Sequence, residues 1–197
     1  MAEVLLFHHA QGLTAGCVSF AQELRAALHV VHTPDLYDGK TFADLADGVG
    51  HAEQIGFDTI IERGRLAAEE LPDDIVYAGF SLGVMPAQML AQTRPRARGA
   101  VLLHSCVSPG EFGCPWPHDV PLQMHMMDAD EWALPPNEDL GAARELDETV
   151  YGAELFLYPG DRHLFADDSL PGYDEDAATL LKRRVLGFLH DVEQSIR

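Results

Sequence analysis

Short apolar segments that alternate with helical patterns are the feature that most restricts how this chain can fold. Six such segments occur along the chain: VLLFHHA, HVVHTPD, DIVYAGF, GAVLLHS, PLQMHMM and ELFLYPG. Strands buried on both faces of a sheet are apolar almost without interruption, and parallel strands need helical connections. The pattern therefore predicts a three-layer α/β fold with about six mainly parallel strands and helices on both faces.

The helices are predicted from apolar residues spaced three and four positions apart. The first helix would bury one face, formed by Cys17, Phe20, Ala21, Leu24, Ala27 and Leu28. Further helices are predicted from Asp58, as the N-cap, to Leu71, over 83 to 93, over about 137 to 148, and from about Asp174 to Val192. No helix is predicted in the polar stretch YDGKTFADLADG. The segment from Ser105 to Asp119 has no helical period and is predicted to be a loop, so we expect no large cap domain.

Length and charge restrict the class of protein. A chain of 197 residues fits one α/β domain over residues 1–197. The chain has no apolar run of about 18 residues that could cross a bilayer, and its first residues lack a signal-peptide pattern, so we expect a cytoplasmic protein. The formal net charge of -19 repels phosphate backbones and anionic lipids, so nucleic acid and membrane partners are not expected. The three cysteines lack C-x-x-C spacing, which favours a reducing compartment and argues against a zinc ribbon.

The pentapeptide GFSLG, from Gly79 to Gly83, follows the third predicted strand and precedes a helical pattern. This is the G-x-S-x-G pattern of a nucleophile elbow, in which a strand turns sharply into a helix. Both glycines are needed because a side chain at either position would collide with its neighbours while the serine is held in a strained conformation. The pattern predicts that Ser81 presents its hydroxyl at the carboxyl edge of the sheet, although such a serine can also be an ordinary N-cap. Pro86 predicts a loosened or 3₁₀-like first helical turn.

A serine nucleophile needs a base, and the base needs a carboxylate that orients it. With this elbow the chain order is serine, acid, histidine. Of ten histidines, only His163 and His190 follow both Ser81 and the acidic loop after the fifth strand. His190 lies near the end of the last predicted helix, whereas His163 follows the sixth strand in YPGDRHLF. We therefore predict that His163 is the general base.

The carboxylate should come from the loop after PLQMHMM, where three acidic residues compete. They are Asp128, Asp130 and Glu131. Asp128 is close enough to the strand end to bond to its own turn, whereas Asp130 lies further out, where the loop can approach a histidine. We favour Asp130 over Asp128.

With these residues placed, the chain resembles the dienelactone hydrolase family of α/β-hydrolases. The resemblance rests on HHAQGLTAG, HTPDLYDGKTF, GFSLG, MHMMDADEW and YPGDRHLFADDSLPGYDEDAA, and it covers nearly the whole chain. It implies an α/β-hydrolase fold with the first strand between the second and the third, and a triad of Ser81, Asp130 and His163. It also implies an oxyanion hole made by the backbone N–H groups of Ala10 and Leu82. The implied activity is that of a carboxylic ester hydrolase without a cofactor, which cleaves a small ester, lactone or thioester through an acyl-enzyme on Ser81.

The chain departs from the family's pattern at positions that concern the substrate. A serine stands at 81 where the namesake enzymes have a cysteine, and His9 stands where they have a glutamate. Asp167 stands where they have an arginine that binds the substrate carboxylate, four residues after the catalytic histidine. Their other carboxylate-binding arginine has no clear match in the segment from Lys40 to Phe57. An anionic dienelactone would thus lack the arginines that bind its carboxylate and would be repelled by the negative charge of the protein. The resemblance therefore implies the ester chemistry more strongly than the namesake substrate.

Pocket residues are predicted from large side chains near the carboxyl edge of the sheet. They are Tyr37, Phe80, Phe112, Trp116, Trp132 and Leu164, although each aromatic residue could instead belong to the core. His8 and His9 are adjacent on a strand and should point to opposite faces. We predict that His8 packs under a helix with its ring nitrogens hydrogen-bonded, and that His9 faces the pocket and modulates it.

Two other functions compete with a serine hydrolase. The first is a hydrolase-fold protein that has lost turnover and binds a small ligand or a protein partner. The second is a metal site formed by histidines at positions 8, 9, 104, 118 and 125, but the helical spacings H-x-x-x-H and H-x-x-E-H are missing, so no metal is predicted. We expect a monomer or small homo-oligomer that acts on a small molecule, whose acyl and leaving groups the fold does not determine.

Overall fold

Six strands form one parallel sheet in the order β2-β1-β3-β4-β5-β6 in the computed structural model, which describes residues 1–195. The strands are β1 (Glu3–Phe7), β2 (Val30–His32), β3 (Val76–Phe80), β4 (Gly99–Leu103), β5 (Leu122–Met127) and β6 (Ala153–Tyr158). Each corresponds to one of the six apolar segments. The first strand lies between the second and the third, as predicted, so the loops that follow β1 and β3 are neighbours.

Six helices connect the strands and cover the sheet. They are α1 (Ala15–Ala26), α2 (Leu45–Ile55), α3 (Phe57–Glu69), α4 (Val84–Thr93), α5 (Asp139–Thr149) and α6 (Glu175–Gln194). A 3₁₀ turn (Ser81–Gly83) precedes α4, which agrees with the irregular first turn expected from Pro86. Over residues 1–195, no helix is both long and apolar enough to cross a membrane.

The core consists of two apolar layers, one on each face of the sheet. Alternate residues of β1 enter different layers: Leu5 and Phe7 pack with α2 to α5, and Val4 and Leu6 pack with α1 and α6. This alternation follows from the two-residue period of a strand. All five residues of β3 and of β4 are buried, which explains why those strands are continuous apolar runs in the sequence.

The structure differs from the predicted elements in three places. Helix α2 begins in the polar stretch where no helix was predicted and continues to Ile55; it contains Gly48 and Gly50, which are poor helix formers, and its large apolar residues are only partly buried. Helix α1 ends at Ala26, and Leu28 turns outward with φ of 70° and an exposed fraction of 77%. Helix α3 has Gly56 as its N-cap, so Asp58 lies in the first turn. The loop after β4 contains one 3₁₀ turn (Pro109–Phe112), and no large cap is present among the described residues.

Candidate active site

Ser81 lies at a sharp turn between β3 and α4. Its φ is 47°, in the left-handed region that a residue with a side chain rarely occupies. A Cβ atom on Gly79 would lie 2.1 Å from the carbonyl oxygen of Gly83, and one on Gly83 would lie 2.6 Å from the carbonyl oxygens of Phe7 and His8. Both glycines are therefore required by the close approach of the backbones, and the strained serine is held at the carboxyl edge of the sheet.

Ser81, His163 and Asp130 form a continuous series of hydrogen bonds. The distance from Ser81 Oγ to His163 Nε2 is 2.7 Å, and the distance from His163 Nδ1 to Asp130 Oδ2 is 2.6 Å. The other carboxylate oxygen of Asp130 accepts the N–H of Trp132 at 2.9 Å, and Asp130 is fully buried. Because Nδ1–H donates to a fixed carboxylate, Nε2 is the nitrogen left to accept the serine proton.

The other candidates for acid and base lie elsewhere. Asp128 accepts the N–H of Gly160 at 3.0 Å and so joins the loops after β5 and β6 instead of contacting His163. Glu131 is exposed. His190 is exposed on α6, beside a surface depression that His29 also lines.

The two predicted oxyanion donors lie in neighbouring loops. Leu82 follows Ser81 in the 3₁₀ turn, and Ala10 lies in the loop after β1, next to β3 in the sheet. In that loop Gln11 N–H donates to His9 Nδ1, and Gly12 N–H donates to the carbonyl oxygen of His9. These turn bonds do not use the N–H of Ala10.

His8 is a buried, fully bonded side chain, as the sequence predicted. Its Nε2 accepts the N–H of Leu36 at 2.9 Å, and its Nδ1 lies 2.7 Å from the carbonyl oxygen of His9, to which it donates. Burial lowers the pKa of His8 to about 4, so the ring is neutral at physiological pH.

His9 does not face an open pocket, contrary to the prediction. The ring is completely buried, and Nε2 lies 2.8 Å from Asp167 Oδ2, an oxygen that also accepts the Thr14 hydroxyl at 2.5 Å. Burial alone would raise the pKa of Asp167, but the hydrogen bonds from His9, Ser169 and Thr14 outweigh it and hold the pKa at about 2. His9 and Asp167, which stand where the family has a glutamate and an arginine, are therefore in contact with each other.

Most of the aromatic residues predicted as pocket walls belong to the core. Tyr37 is 1% exposed and donates its hydroxyl to the carbonyl oxygen of Gly48, Phe80 is 1% exposed, and Trp116 donates Nε1–H to the carbonyl oxygen of Val120. These three predictions do not hold, because the sequence does not show which way a side chain near a strand end points. Leu164 is buried beside the base. Trp132 is 40% exposed with its ring centroid 5.9 Å from that of His163, so it flanks the candidate site.

A cleft of about 860 Å³ is lined by the loops that follow β4 and β5 and by the first turns of α3 and α5, and none of Ser81, Asp130 and His163 lines it. It includes Phe112, one of the predicted wall residues. Its other apolar lining residues were missed from the sequence: Ile61, Met85, Cys106, Val107, Ala133, Leu134, Leu140 and Ala142. Several of them follow Ser81, the end of β4 or Asp130 by a few positions, and that proximity to the carboxyl edge is the signal by which they could have been found.

His104 is a further residue near the site that the sequence analysis did not place there. It is completely buried with φ of 70°, and its ring centroid lies 6.2 Å from that of His163 and 5.8 Å from that of Phe80. Within the described part of the chain, neither ring nitrogen has a hydrogen-bond partner. Burial lowers the pKa of His104 far below its usual value. The ring is therefore neutral, and it packs between His163 and Phe80.

The histidines considered as metal ligands do not converge. His8 bonds to Leu36, His125 bonds to Gln123 and Tyr158, and His118 is exposed. A different group brings ligand-type atoms within 4.8 Å of one another; it consists of His9, Cys17 and Asp167. The carboxylate of that group is already occupied by hydrogen bonds from His9, Thr14 and Ser169, as expected for a buried polar network.

Comparisons with known proteins agree with this fold. The model of the dienelactone hydrolase family matches residues 1–193. Among solved structures, a dienelactone hydrolase from Anabaena variabilis superposes with a TM-score of 0.67 at 18% identity, covering 96% of this chain and 86% of that one. A dienelactone hydrolase-like promiscuous phosphotriesterase from metagenomic libraries gives a TM-score of 0.75 at 17% identity, with coverages of 98% and 87%. No curated protein sequence matches this chain. At these identities the solved structures establish the fold.

Proposed function

Because the chain belongs to the dienelactone hydrolase family, we propose that it is a serine hydrolase that cleaves a small ester, lactone or thioester through an acyl-enzyme on Ser81. The observation that carries the proposal is the pair of short hydrogen bonds that connect Ser81 to His163 and His163 to Asp130. All three side chains are largely removed from water, where such bonds are strengthened.

The mechanism follows from the protons in this series. His163 Nε2 takes the proton of Ser81 as Oγ bonds to the carbonyl carbon of the substrate, and the Asp130 carboxylate stabilises the imidazolium that results. The N–H groups of Ala10 and Leu82 donate to the oxyanion, and each such donor commonly lowers the barrier by about 3 kcal/mol. The imidazolium then protonates the leaving alkoxide or thiolate. Water, deprotonated by the same nitrogen, cleaves the acyl-enzyme and restores Ser81.

The namesake anionic lactone is disfavoured as the substrate. Asp167, at the position of the family's carboxylate-binding arginine, is negative, buried and bonded to His9. It offers a substrate carboxylate no positive charge. The proposal is therefore limited to esters, lactones and thioesters whose binding does not need a positively charged side chain.

A fluorophosphonate probe tests the proposal directly. We expect it to label the wild-type protein and not Ser81→Ala, and we expect wild type alone to hydrolyse p-nitrophenyl acetate. Ser19→Ala is the matched control, because Ser19 is half-buried and its hydroxyl donates to the exposed Asp168 and not to a member of the triad. An unlabelled wild-type protein would instead support the binding protein without turnover, and equal labelling of Ser81→Ala would place the nucleophile elsewhere.

A further inference from the structure

The cleft of about 860 Å³ is formed by segments that adjoin the candidate triad in the chain. Met85 lies one helical turn after Ser81, and Ala133 donates its N–H to the carbonyl oxygen of Asp130 at 3.0 Å. Val107 follows the end of β4 at the same edge of the sheet. The apolar part of the cleft therefore comes from residues that lie within a few positions of Ser81, of Asp130 and of the end of β4.

Charge in the cleft is strongly unequal. Five lining residues are acidic: Asp58, Glu111, Glu138, Asp139 and Glu145. One lining residue, Arg144, is basic. All of these acidic residues except the half-buried Asp139 are exposed to solvent, and we call these four the acidic rim of the cleft. Clefts with apolar walls and charges of one sign concentrate the electrostatic field and raise the local concentration of ions of the opposite sign.

The positive end of one helix opposes this field but does not reverse it. Helix α5 begins at the cleft, and its amino end carries a partial charge equivalent to about half a proton. Glu138 and Asp139 occupy that amino end. The partial charge and Arg144 together amount to less than two positive charges, against the four exposed carboxylates of the rim.

We propose that the remainder of a substrate bound at Ser81 extends into this cleft, and that the cleft selects substrates with a short apolar chain that ends in a cationic group, such as a quaternary ammonium, over chains that end in a carboxylate. This inference rests on the proposed function, because it concerns the same serine hydrolase site. The apolar lining binds the chain, the exposed carboxylates attract the cation, and the net charge of -19 on the whole protein acts in the same direction.

Three p-nitrophenyl esters with the same four-methylene chain test the inference. The acyl groups are 5-(trimethylammonio)pentanoyl, its neutral isostere 6,6-dimethylheptanoyl, and the anionic adipoyl monoester. We expect kcat/KM to fall in that order, with a ratio of about tenfold or more between the cationic and the anionic ester at low ionic strength. The ratio should shrink as salt is raised to about 0.5 M, because the Debye length then falls below about 5 Å.

Two residues of α5 give a matched pair of variants. Glu145 lines the cleft and Glu148 does not, and both are exposed. Glu145→Gln should lower the cation-to-anion ratio by about two- to threefold, while Glu148→Gln should leave it unchanged. Equal effects of the two variants, or an anionic ester turned over as fast as the cationic one, would overturn the inference.

Hydrolysis of p-nitrophenyl acetate separates failure of the inference from failure of the proposed function. If the acetate is hydrolysed in a Ser81-dependent manner and the charged esters show no preference, the inference alone is wrong. If no ester is hydrolysed in a Ser81-dependent manner, the proposed function is wrong and the inference is wrong with it.

Discussion

Asp130 is fixed through both of its carboxylate oxygens, one by His163 and the other by the N–H of Trp132. Asp130→Asn keeps the shape of the side chain but removes the charge that stabilises the imidazolium and selects the tautomer. We expect kcat for p-nitrophenyl acetate to fall by about 10³- to 10⁴-fold. Asp128→Asn is the control, since Asp128 bonds to Gly160. A comparable loss in both variants would contradict the assigned roles.

The contact between Ser81, His163 and Asp130 could be predicted from the sequence because a motif and a chain order restrict the three residues. Ser81 lies in the elbow pattern, and only two histidines follow it in the required order. The pocket walls could not be predicted in the same way. Phe80 and Tyr37 adjoin the carboxyl edge in sequence, but their rings turn into the core, and that direction depends on packing between distant elements.

The buried pair of His9 and Asp167 joins the loop before Ala10 to the loop after His163. Burial alone would lower the pKa of His9, but the hydrogen bond to Asp167 and the nearby Cys17 outweigh it and raise the pKa to about 9. Protonation of the ring costs the hydrogen bond that Nδ1 otherwise accepts from the N–H of Gln11, and the contact with the buried Asp167 carboxylate outweighs that cost. His9 and Asp167 therefore form a buried ion pair, which we call the clamp, between two loops of the candidate site.

This clamp predicts a loss of stability at alkaline pH. A His9 pKa raised from 6.5 to about 9 gives stabilisation that is complete below pH 6.5 and lost as pH rises through 9. Wild-type protein should thus lose about 3 kcal/mol of unfolding free energy across this range, measured by urea denaturation. In Asp167→Asn the unfolding free energy should depend less on pH over this range, whatever the stability of the variant at pH 6.5. A variant with the wild-type slope would show that His9 is neutral in the folded protein.

Helix α2 shows why one element was missed and why it matters for the site. Its apolar face consists of the buried Ala52 and the partly buried Leu45, Val49 and Ile55, but Gly48 and Gly50 lie between them and lower the helix propensity of the segment. Gly48 is required by close approach, because a Cβ atom there would lie 2.1 Å from the carbonyl oxygen of Ala10. A helix that the sequence did not predict therefore supports the loop that carries a predicted oxyanion donor.

Two glycines of α2 allow this support to be tested. Gly48→Ala should displace the Ala10 loop, so we expect a loss of at least about 1 kcal/mol of unfolding free energy and a lower kcat for p-nitrophenyl acetate. Gly50→Ala adds a methyl group where no atom lies within 4 Å, and it should stabilise the helix by about 0.5 to 1 kcal/mol with unchanged kcat. Unchanged activity in Gly48→Ala would show that α2 does not position the loop that carries Ala10.

The arrangement of the whole sheet could be predicted because each strand is a separate apolar segment. The length of these segments and the helical patterns between them restrict the chain to parallel strands. The position of β1 between β2 and β3 came from the family resemblance, since periodicity does not order strands. The cleft could not be predicted from the sequence, because its lining residues come from separate parts of the chain: α3, the start of α4, the loop after β4, and the segment from Ala133 to Glu145.

The excess of negative charge should make the whole molecule less stable at low ionic strength. With 32 acidic and 13 basic residues, repulsion acts between many carboxylates, whereas the exposed pairs of Arg65 with Glu62 and Glu69 contribute little. Raising salt from 10 mM to 0.3 M shortens the Debye length from about 30 Å to about 6 Å and screens the repulsion more than it weakens the pairs. We expect the unfolding free energy, measured by urea denaturation at pH 6.5, to rise by about 1 to 2 kcal/mol, equally in NaCl and KCl. A fall in stability with salt would mean that attractive ion pairs, and not the net charge, dominate the electrostatics of the fold.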